Sequence, residues 1–245
     1  PYFRTSTFSV VQDASDGLFK CWYQDFYTYG TFKKDEYDLQ SLRALLYYAE
    51  SEDGLNWKKP LTGQHQIDGR DTNTVFGHPP YREVICPNIL LDEQDPDPAR
   101  RFKMVYLYHD ENVRFPKKAY RGQMGGGLCM AMSPDGINWT PFAGNPIVPG
   151  WLSDVQILTW DAIDEKYVLW GRYGSRPEFS DHPDSDNWFS PVWPARPTGV
   201  WGVRRRIYRM ESRDLIEWSD PELLWDPDEE ANLDDSYYGF VPWRA

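Results

Sequence analysis

Three segments of this 245-residue chain carry nearly the same sequence. They read YYAESEDGLNW at 47–57, CMAMSPDGINW at 129–139 and YRMESRDLIEW at 208–218. Each places an apolar run before a Ser-centred acidic turn and ends in a Trp, so the closing tryptophans recur at intervals of about 80 residues. A repeat of this period predicts a modular architecture, in which each copy folds as one supersecondary unit.

The residues around each copy predict four strands per module. An apolar run begins each module, at 8–11, 84–91 and 155–160. An acidic turn then leads to a second, aromatic run, at 19–26, 102–109 and 167–173. Alternating bulky and polar residues suit half-buried strands, and Asp, Gly and Pro suit tight reversals. Because the repeated motif adds a third strand and a short fourth follows it, each module predicts one blade of a β-propeller.

Composition narrows the classes of partner. The formal net charge of −12 disfavours nucleic acid and anionic membrane surfaces, since both would repel the chain. The chain contains no run of eighteen apolar residues, so the sequence predicts no transmembrane helix. We therefore expect no nucleic-acid partner and no membrane partner. Aromatic residues make up 16% of the chain; they suit packing between blades, and some could line a sugar-binding cleft.

The cysteines and histidines predict no metal site. Cys21, Cys86 and Cys129 lie in apolar runs without CxxC spacing, which is typical of buried free thiols. The four histidines form no HExxH or similar pattern. We expect neither metal ligands nor a cofactor.

Candidate chemistry lies where the innermost strands begin. In a propeller these strands start at one rim of the central channel, and alignment of the repeats puts Arg4, Glu83, Asp154 and Asp235 at or just before those starts. Carboxylates that share a rim raise the pKa of at least one of them. Glycosidic bond cleavage uses such a pair, one carboxyl protonated and one ionised. An Asp before a strand is also an ordinary turn residue, so a structural role stays open.

Several segments resemble the five-bladed β-propeller glycoside hydrolases related to families 32 and 43, especially bacterial relatives of the family 32 catalytic domain. They are SEDGLNWKKP, SPDGINWTPF, SDVQ with WDAIDEKYVLWGRY, and RMESRDLIEW running into DDSYYGFVPW. The resemblance spans almost the whole chain and implies one all-β propeller domain over 1–245. About three four-stranded blades would be complete, at 1–82, 83–153 and 154–234, with the next starting at 235–245.

The resemblance also implies roles for residues. Asp154 matches the middle Asp of the family, which holds sugar hydroxyls and stabilises the transition state. Asp235 or Glu83 would donate the proton. The Asn-Asp-Pro-Asn-Gly type of motif that supplies the first-blade nucleophile is not found, and its position offers Arg4 and no acid. The predicted substrate-binding residues are Arg4, Arg82, Gln156, Trp188, Trp193 and Tyr237.

Three functions remain open from the sequence. The first is a glycosidase that cleaves or transfers a glycosyl unit of a carbohydrate substrate. The second is a non-catalytic carbohydrate-binding or assembly propeller, which the missing first-blade acid favours. The third is a glycoside phosphorylase on the same scaffold, with Arg4 and Arg82 as phosphate ligands.

Three blades are too few to close a ring, and an open end exposes a strand edge. We therefore expect missing chain segments or a homo-oligomer to complete the propeller. Some relatives hold calcium in the axial channel, but no segment here has the dense Asp/Asn spacing of a dedicated calcium loop. A periplasmic or secreted location is favoured over a cytoplasmic one.

Overall fold

The computed structural model describes residues 7–28, 42–67, 69–77, 84–114, 124–149, 155–173 and 206–225. This part of the chain is all-β, and its helical element is a single 3-10 turn, Pro98–Arg100. None of the described residues belong to a helix long and apolar enough to cross a membrane. The strands are β1 Phe8–Gln12, β2 Phe19–Thr28, β3 Leu42–Ser51, β4 Gln66–Ile67, β5 Arg70–Asp71, β6 Thr74–Phe76, β7 Ile85–Leu91, β8 Phe102–Arg114, β9 Met124–Ser133, β10 Thr140–Pro141, β11 Val148–Pro149, β12 Gln156–Asp161, β13 Lys166–Tyr173, β14 Arg206–Ser212 and β15 Glu222–Trp225.

Three antiparallel sheets repeat one plan. The strand order is β1-β2-β3-β6 in the first sheet, β7-β8-β9-β10 in the second and β12-β13-β14-β15 in the third. The second sheet gains a short fifth strand, because β11 also pairs with β9, and a small hairpin, β4–β5, lies between β3 and β6 along the chain. In each sheet, strands that follow one another along the chain pair as neighbours, as predicted for a blade. The β-propeller fold class is therefore confirmed. The number of five blades and the blade boundaries remain predictions.

The chain divides into two compact units. The first comprises Pro1–Tyr108 and Cys129–Asn145, and therefore holds the first sheet and most of the second. The second comprises His109–Leu128 and Pro146–Ala245, and holds the third sheet.

The core of the first unit is centred on Trp22 of β2. Its fully buried indole contacts the rings of Tyr48, Phe102 and Trp139, with ring centroids 5.7, 5.4 and 6.4 Å away. Its Nε1 donates a hydrogen bond to the carbonyl oxygen of Gly136 at 2.6 Å. Trp22 thus joins the first sheet to the turn that follows β9 of the second.

The repeated Ser-x-Asp turn has the same hydrogen bonds in all three sheets. The Asp carboxylate accepts the Ser hydroxyl and the backbone N–H groups of the two residues after the turn's centre, at 2.7–3.1 Å. The backbone at the centre is left-handed, with φ of 72° at Gly54, 79° at Gly136 and 66° at Leu215. Glycine suits this position because it has no Cβ to clash, and the third copy departs from it with Leu215.

The acidic turns between the first two strands of each sheet hold a lysine. In the first sheet the Lys20 ammonium lies 2.6 Å from the buried Asp13 carboxylate. In the second sheet the fully buried Lys103 lies 2.7 Å from Asp92 and 2.9 Å from Asp95. The third sheet has a more exposed version, with Lys166 near two carboxylates. These acids form structural ion pairs within their sheets.

The third sheet, in the second unit, buries apolar side chains on both faces. Leu158, Leu169 and Met210 are buried on one face, where the rings of Trp160 and Tyr167 meet edge to face at 4.8 Å. On the opposite face, Trp170 donates from Nε1 to the Thr159 hydroxyl at 2.9 Å.

The prediction of free thiols is confirmed for all three cysteines. Cys86 and Cys129 are buried, whereas Cys21 is only half-buried because its face of the first sheet is partly open.

Candidate functional site

In the first unit, the candidate site is the end of the first two sheets where their inner strands, β1 and β7, begin. In the first sheet, Phe8 of β1 pairs with Tyr23 of β2, which pairs in turn with Tyr47 of β3. The start of β1, the later part of β2 and the early part of β3 therefore meet at one end. The second sheet approaches this end through a hydrogen bond from the Val84 N–H to the carbonyl of Ala44, at 3.0 Å.

Gln24 links the inner strands of the two sheets. Its side chain is 1% exposed, and its Oε1 accepts the Cys86 backbone N–H at 2.7 Å and the Thr7 hydroxyl at 3.1 Å. Its own backbone N–H donates to the carbonyl of Thr7 at 3.1 Å. A buried amide is costly without partners, so these bonds explain why it is tolerated beside Trp22.

Cys86 has an unusual backbone at the start of β7. Its φ is 50°, a region in which a residue with a side chain costs about 1–3 kcal/mol and needs support from its surroundings. The pairing of β7 with β8 shifts register between Ile85 and Asn88, which marks a β-bulge. Bulges re-aim strands and occur often beside active sites, so this feature favours a functional interpretation of the inner-strand ends.

A second hydrogen bond joins the two inner strands, three residues further along β7 than Cys86. The N–H of Ile89 in β7 donates to the Ser9 hydroxyl of β1 at 3.0 Å, in a buried position. Two side chains of the first sheet, Gln24 and Ser9, thus hold β7 by its backbone.

Next to Gln24 in β2, Asp25 is a half-buried carboxylate opposite Leu45. Asp25 is a described acid at this end of the first sheet, where the sequence offered Arg4 alone.

Gln156 is the predicted substrate-binding residue that the structure describes. It begins β12 of the third sheet, is 3% exposed and lies opposite Gly171 of β13. A Cβ on Gly171 would come within 2.5 Å of its Oε1, so the glycine provides the space that the amide occupies. Its binding role stays a prediction.

The other predicted site residues lie outside the described residues, and their roles remain predictions. They are Asp154, Asp235 and Glu83 among the catalytic residues, and Arg4, Arg82, Trp188, Trp193 and Tyr237 among the substrate-binding ones. Within the described part of the chain, no three His, Cys, Asp or Glu side chains group as metal ligands.

Sequence reasoning missed Gln24, although the repeat contains a signal for it. Counting from the first aromatic residue of the second strand, the same position holds Leu107 in the second sheet and Arg172 in the third. Leu107 is 1% exposed, as an apolar core position requires. A polar residue at Gln24, where the second sheet has a buried leucine, indicates that the first sheet needs a hydrogen-bonding group at this position.

Comparisons with known proteins give a fold and no close relative. No protein-family model matches the chain, and no curated protein sequence matches it. Among solved structures, an N-acetylgalactosamine deacetylase from F. plautii, in complex with blood group B trisaccharide, is 14% identical, with a TM-score of 0.51 over 92% of this chain and 54% of that one.

Two further solved structures are similar. A member of family GH130, a family of mannoside phosphorylases that contains glycoside hydrolases targeting β-1,2 mannosidic linkages, is 14% identical, with a TM-score of 0.50 over 91% of this chain and 53% of that one. The Bombyx mori family GH32 β-fructofuranosidase is 12% identical, with a TM-score of 0.47 over 86% of this chain and 33% of that one.

The resemblance seen in the sequence is thus confirmed at the level of fold. At a TM-score of 0.50, the solved structures that this chain resembles include a member of a family that contains glycoside hydrolases, as predicted. The chain spans about half the length of the first two of them.

Proposed function

We propose that this chain is a carbohydrate-active enzyme of the glycosidase type, which cleaves or transfers a glycosyl unit at the inner-strand ends of its sheets. One observation carries the proposal. The solved structures that cover more than nine-tenths of this chain at a TM-score of at least 0.50 include enzymes that act on glycans. The bulged, left-handed start of β7 supports the location, because irregular backbone of this kind concentrates at functional sites.

The roles of the carboxylates are part of the proposal. Asp154 holds sugar hydroxyls and stabilises the positive charge that develops on the ring in the transition state. Asp235 or Glu83 donates a proton to the leaving oxygen. A second, ionised carboxylate attacks the anomeric carbon or activates water. Asp25 is a candidate for that second carboxylate, since it lies at the same end of the first sheet.

The test uses the full chain and a panel of aryl glycosides. We expect turnover of at least one member, and a loss of about 10²- to 10⁴-fold in kcat for Asp154→Asn and Asp235→Asn, because each removes a group that acts in the transition state. Glu83→Gln and Asp25→Asn are measured alongside. The matched control is Asp97→Asn, since Asp97 is exposed, caps the 3-10 turn, and Asn caps equally well. Unchanged turnover in both Asp154→Asn and Asp235→Asn would remove the site assignment.

A phosphorylase is the second candidate, favoured by the similarity to a family of mannoside phosphorylases. In that reaction, phosphate replaces water as the acceptor, and the product is a sugar phosphate. Arg4 and Arg82 would bind the phosphate as guanidinium ligands. Product analysis with and without inorganic phosphate separates the two reactions. A phosphate-dependent rate with sugar phosphate as product favours the phosphorylase, and binding of glycans without any turnover favours the non-catalytic propeller.

A further inference from the structure

Gln24 is a buried side chain that the proposed mechanism does not use. Its Oε1 receives two hydrogen bonds, from the Cys86 backbone N–H at 2.7 Å and from the Thr7 hydroxyl at 3.1 Å. Thr7 directly precedes β1, and Cys86 lies at the start of β7. A single side chain on β2 therefore joins the beginnings of two inner strands that belong to different sheets.

The conformation that Gln24 supports does not follow from strand geometry alone. An ordinary antiparallel strand has φ near −140°, whereas Cys86 has φ of 50°. Because of the register shift between Ile85 and Asn88, the ladder between β7 and β8 is interrupted at Cys86. The N–H of Cys86 turns instead to Gln24, in the adjacent sheet.

A second hydrogen bond anchors β7 to the first sheet. Ser9 holds Ile89 three residues further along β7, at 3.0 Å. With both anchors in place, the backbone between Cys86 and Ile89 is fixed against the first sheet at two points, by Gln24 of β2 and by Ser9 of β1. Removal of the Gln24 anchor leaves the Ser9 bond at Ile89 and the bond from the Val84 N–H to the Ala44 carbonyl, so it frees only the bulged backbone between them, close to the proposed site.

We propose that Gln24 is a positioning residue of the glycoside site, which sets how β7 enters that site relative to β1. The inference rests on the proposed function. Glu83 precedes Cys86 by three residues and Arg82 precedes it by four, and Arg4 precedes Thr7 by three residues. Misplacement of a reacting group by about 1 Å can cost about 10²-fold in rate, so an anchor at this point acts on kcat.

The test compares Gln24→Met with Gln24→Glu in the full chain. Methionine has a similar size and no strong acceptor, whereas glutamate keeps an acceptor oxygen at the same place. We expect Gln24→Met to lower kcat on the best aryl glycoside about 10- to 100-fold with a change in KM of less than about threefold, and Gln24→Glu to recover most of that loss. Thr7→Val removes one of the two bonds and should lower kcat less than Gln24→Met does.

A second measurement does not depend on catalysis. Amide hydrogen exchange at Cys86 should accelerate at least about tenfold in Gln24→Met, because its acceptor is gone, while the Ile89 amide keeps its acceptor Ser9 and changes little. Faster exchange at Cys86 together with an unchanged kcat and pH profile would overturn the positioning role. If Gln24→Met does not fold, the Thr7→Val variant decides, and an unchanged kcat in that variant overturns the proposal.

The two proposals fail in different ways. A wild-type chain that turns over no glycoside overturns the proposed function, and the positioning role falls with it, whereas the hydrogen-exchange measurement still tests the anchor itself. Active wild type with a fully active Gln24→Met variant overturns only the positioning role.

Discussion

The carbonyl oxygen of Gly136 accepts the indole N–H of Trp22 at 2.6 Å, across 114 residues of sequence. The same oxygen accepts the indole of Trp139, from its own turn, at 2.9 Å. Two tryptophans therefore converge on one backbone atom of the repeated turn. The turn motif thus does two tasks, because it closes its own sheet and provides the acceptor for the neighbouring sheet of the first unit.

The first prediction separates these two tasks. Gly54 and Gly136 hold the same place in the turn, with φ of 72° and 79°. A Cβ at Gly54 would make ordinary contact with Phe19 at 3.8 Å, but a Cβ at Gly136 would come 2.3 Å from Trp22. Gly54→Ala should cost about 1–2 kcal/mol, from left-handed backbone strain alone. Gly136→Ala should cost about 1–3 kcal/mol more, because Trp22 must move.

The free energy of unfolding of both variants is measured by chemical denaturation, with tryptophan fluorescence as the signal. Equal losses of unfolding free energy in Gly54→Ala and Gly136→Ala would show that the turn of the second sheet does not support Trp22. Trp22→Phe provides a further check, since it removes the hydrogen bond but keeps an aromatic ring.

The second prediction concerns acid stability. The guanidinium of Arg101, with help from Lys20, holds the pKa of the buried Asp13 carboxyl far below its ordinary value of about 3.9. A depressed pKa stabilises the fold above the unfolded-state pKa, and this stabilisation is lost as pH falls. Between about pH 4 and pH 2 the wild type should lose about 1 kcal/mol of unfolding free energy per pH unit more than Asp13→Asn does. Parallel pH profiles of the two proteins, from urea denaturation, would contradict this role.

The third prediction contrasts a buried with an exposed lysine. Lys103 is fully buried between Asp92 and Asp95, so Lys103→Met removes the ammonium that both carboxylates share and should cost about 3–5 kcal/mol. Asp95 keeps its ion pair with Arg100 in this variant. Lys58 pairs with Glu52 on the surface, where both side chains are more than 70% exposed, and Lys58→Met should leave the unfolding free energy unchanged. A small effect at Lys103 would mean that the aspartates find other partners or take up protons.

The repeated turn was predictable because its chemistry is local. A Ser hydroxyl and an Asp carboxylate three and one residues before a left-handed position satisfy their own turn, and this pattern is visible in any copy. The pairing of the first two strands of each sheet was also predictable, since short acidic turns make consecutive strands antiparallel neighbours. In the third copy, where Leu215 replaces the glycine, the remaining Ser212 and Asp214 bonds keep the turn in place.

The links between sheets were not predictable in this way. The partners Trp22 and Gly136, Asp13 and Arg101, and Gln24 and Cys86 are 62 to 114 residues apart. The local sequence around one partner does not predict which distant residue it contacts. The acidic turns illustrate the difference, because their Asp content was visible, but their task as binding sites for buried lysines depended on the strand that follows.

The last prediction concerns the cysteines. Burial raises the pKa of the Cys129 thiol to about 12, so at pH 8 only about one molecule in 10⁴ carries the reactive thiolate. Cys129 is also 4% exposed and packs in the core that contains Trp22. Its alkylation by iodoacetamide should therefore require opening of the first unit, and the half-buried Cys21 should react first. Because Gly136→Ala destabilises that core, it should speed labelling of Cys129 by the factor that its loss of unfolding free energy predicts, whereas Gly54→Ala should speed it less. Peptide mapping by mass spectrometry measures both sites, and rapid labelling of Cys129 in the wild type would contradict the tightly packed core on which the first and second sheets depend.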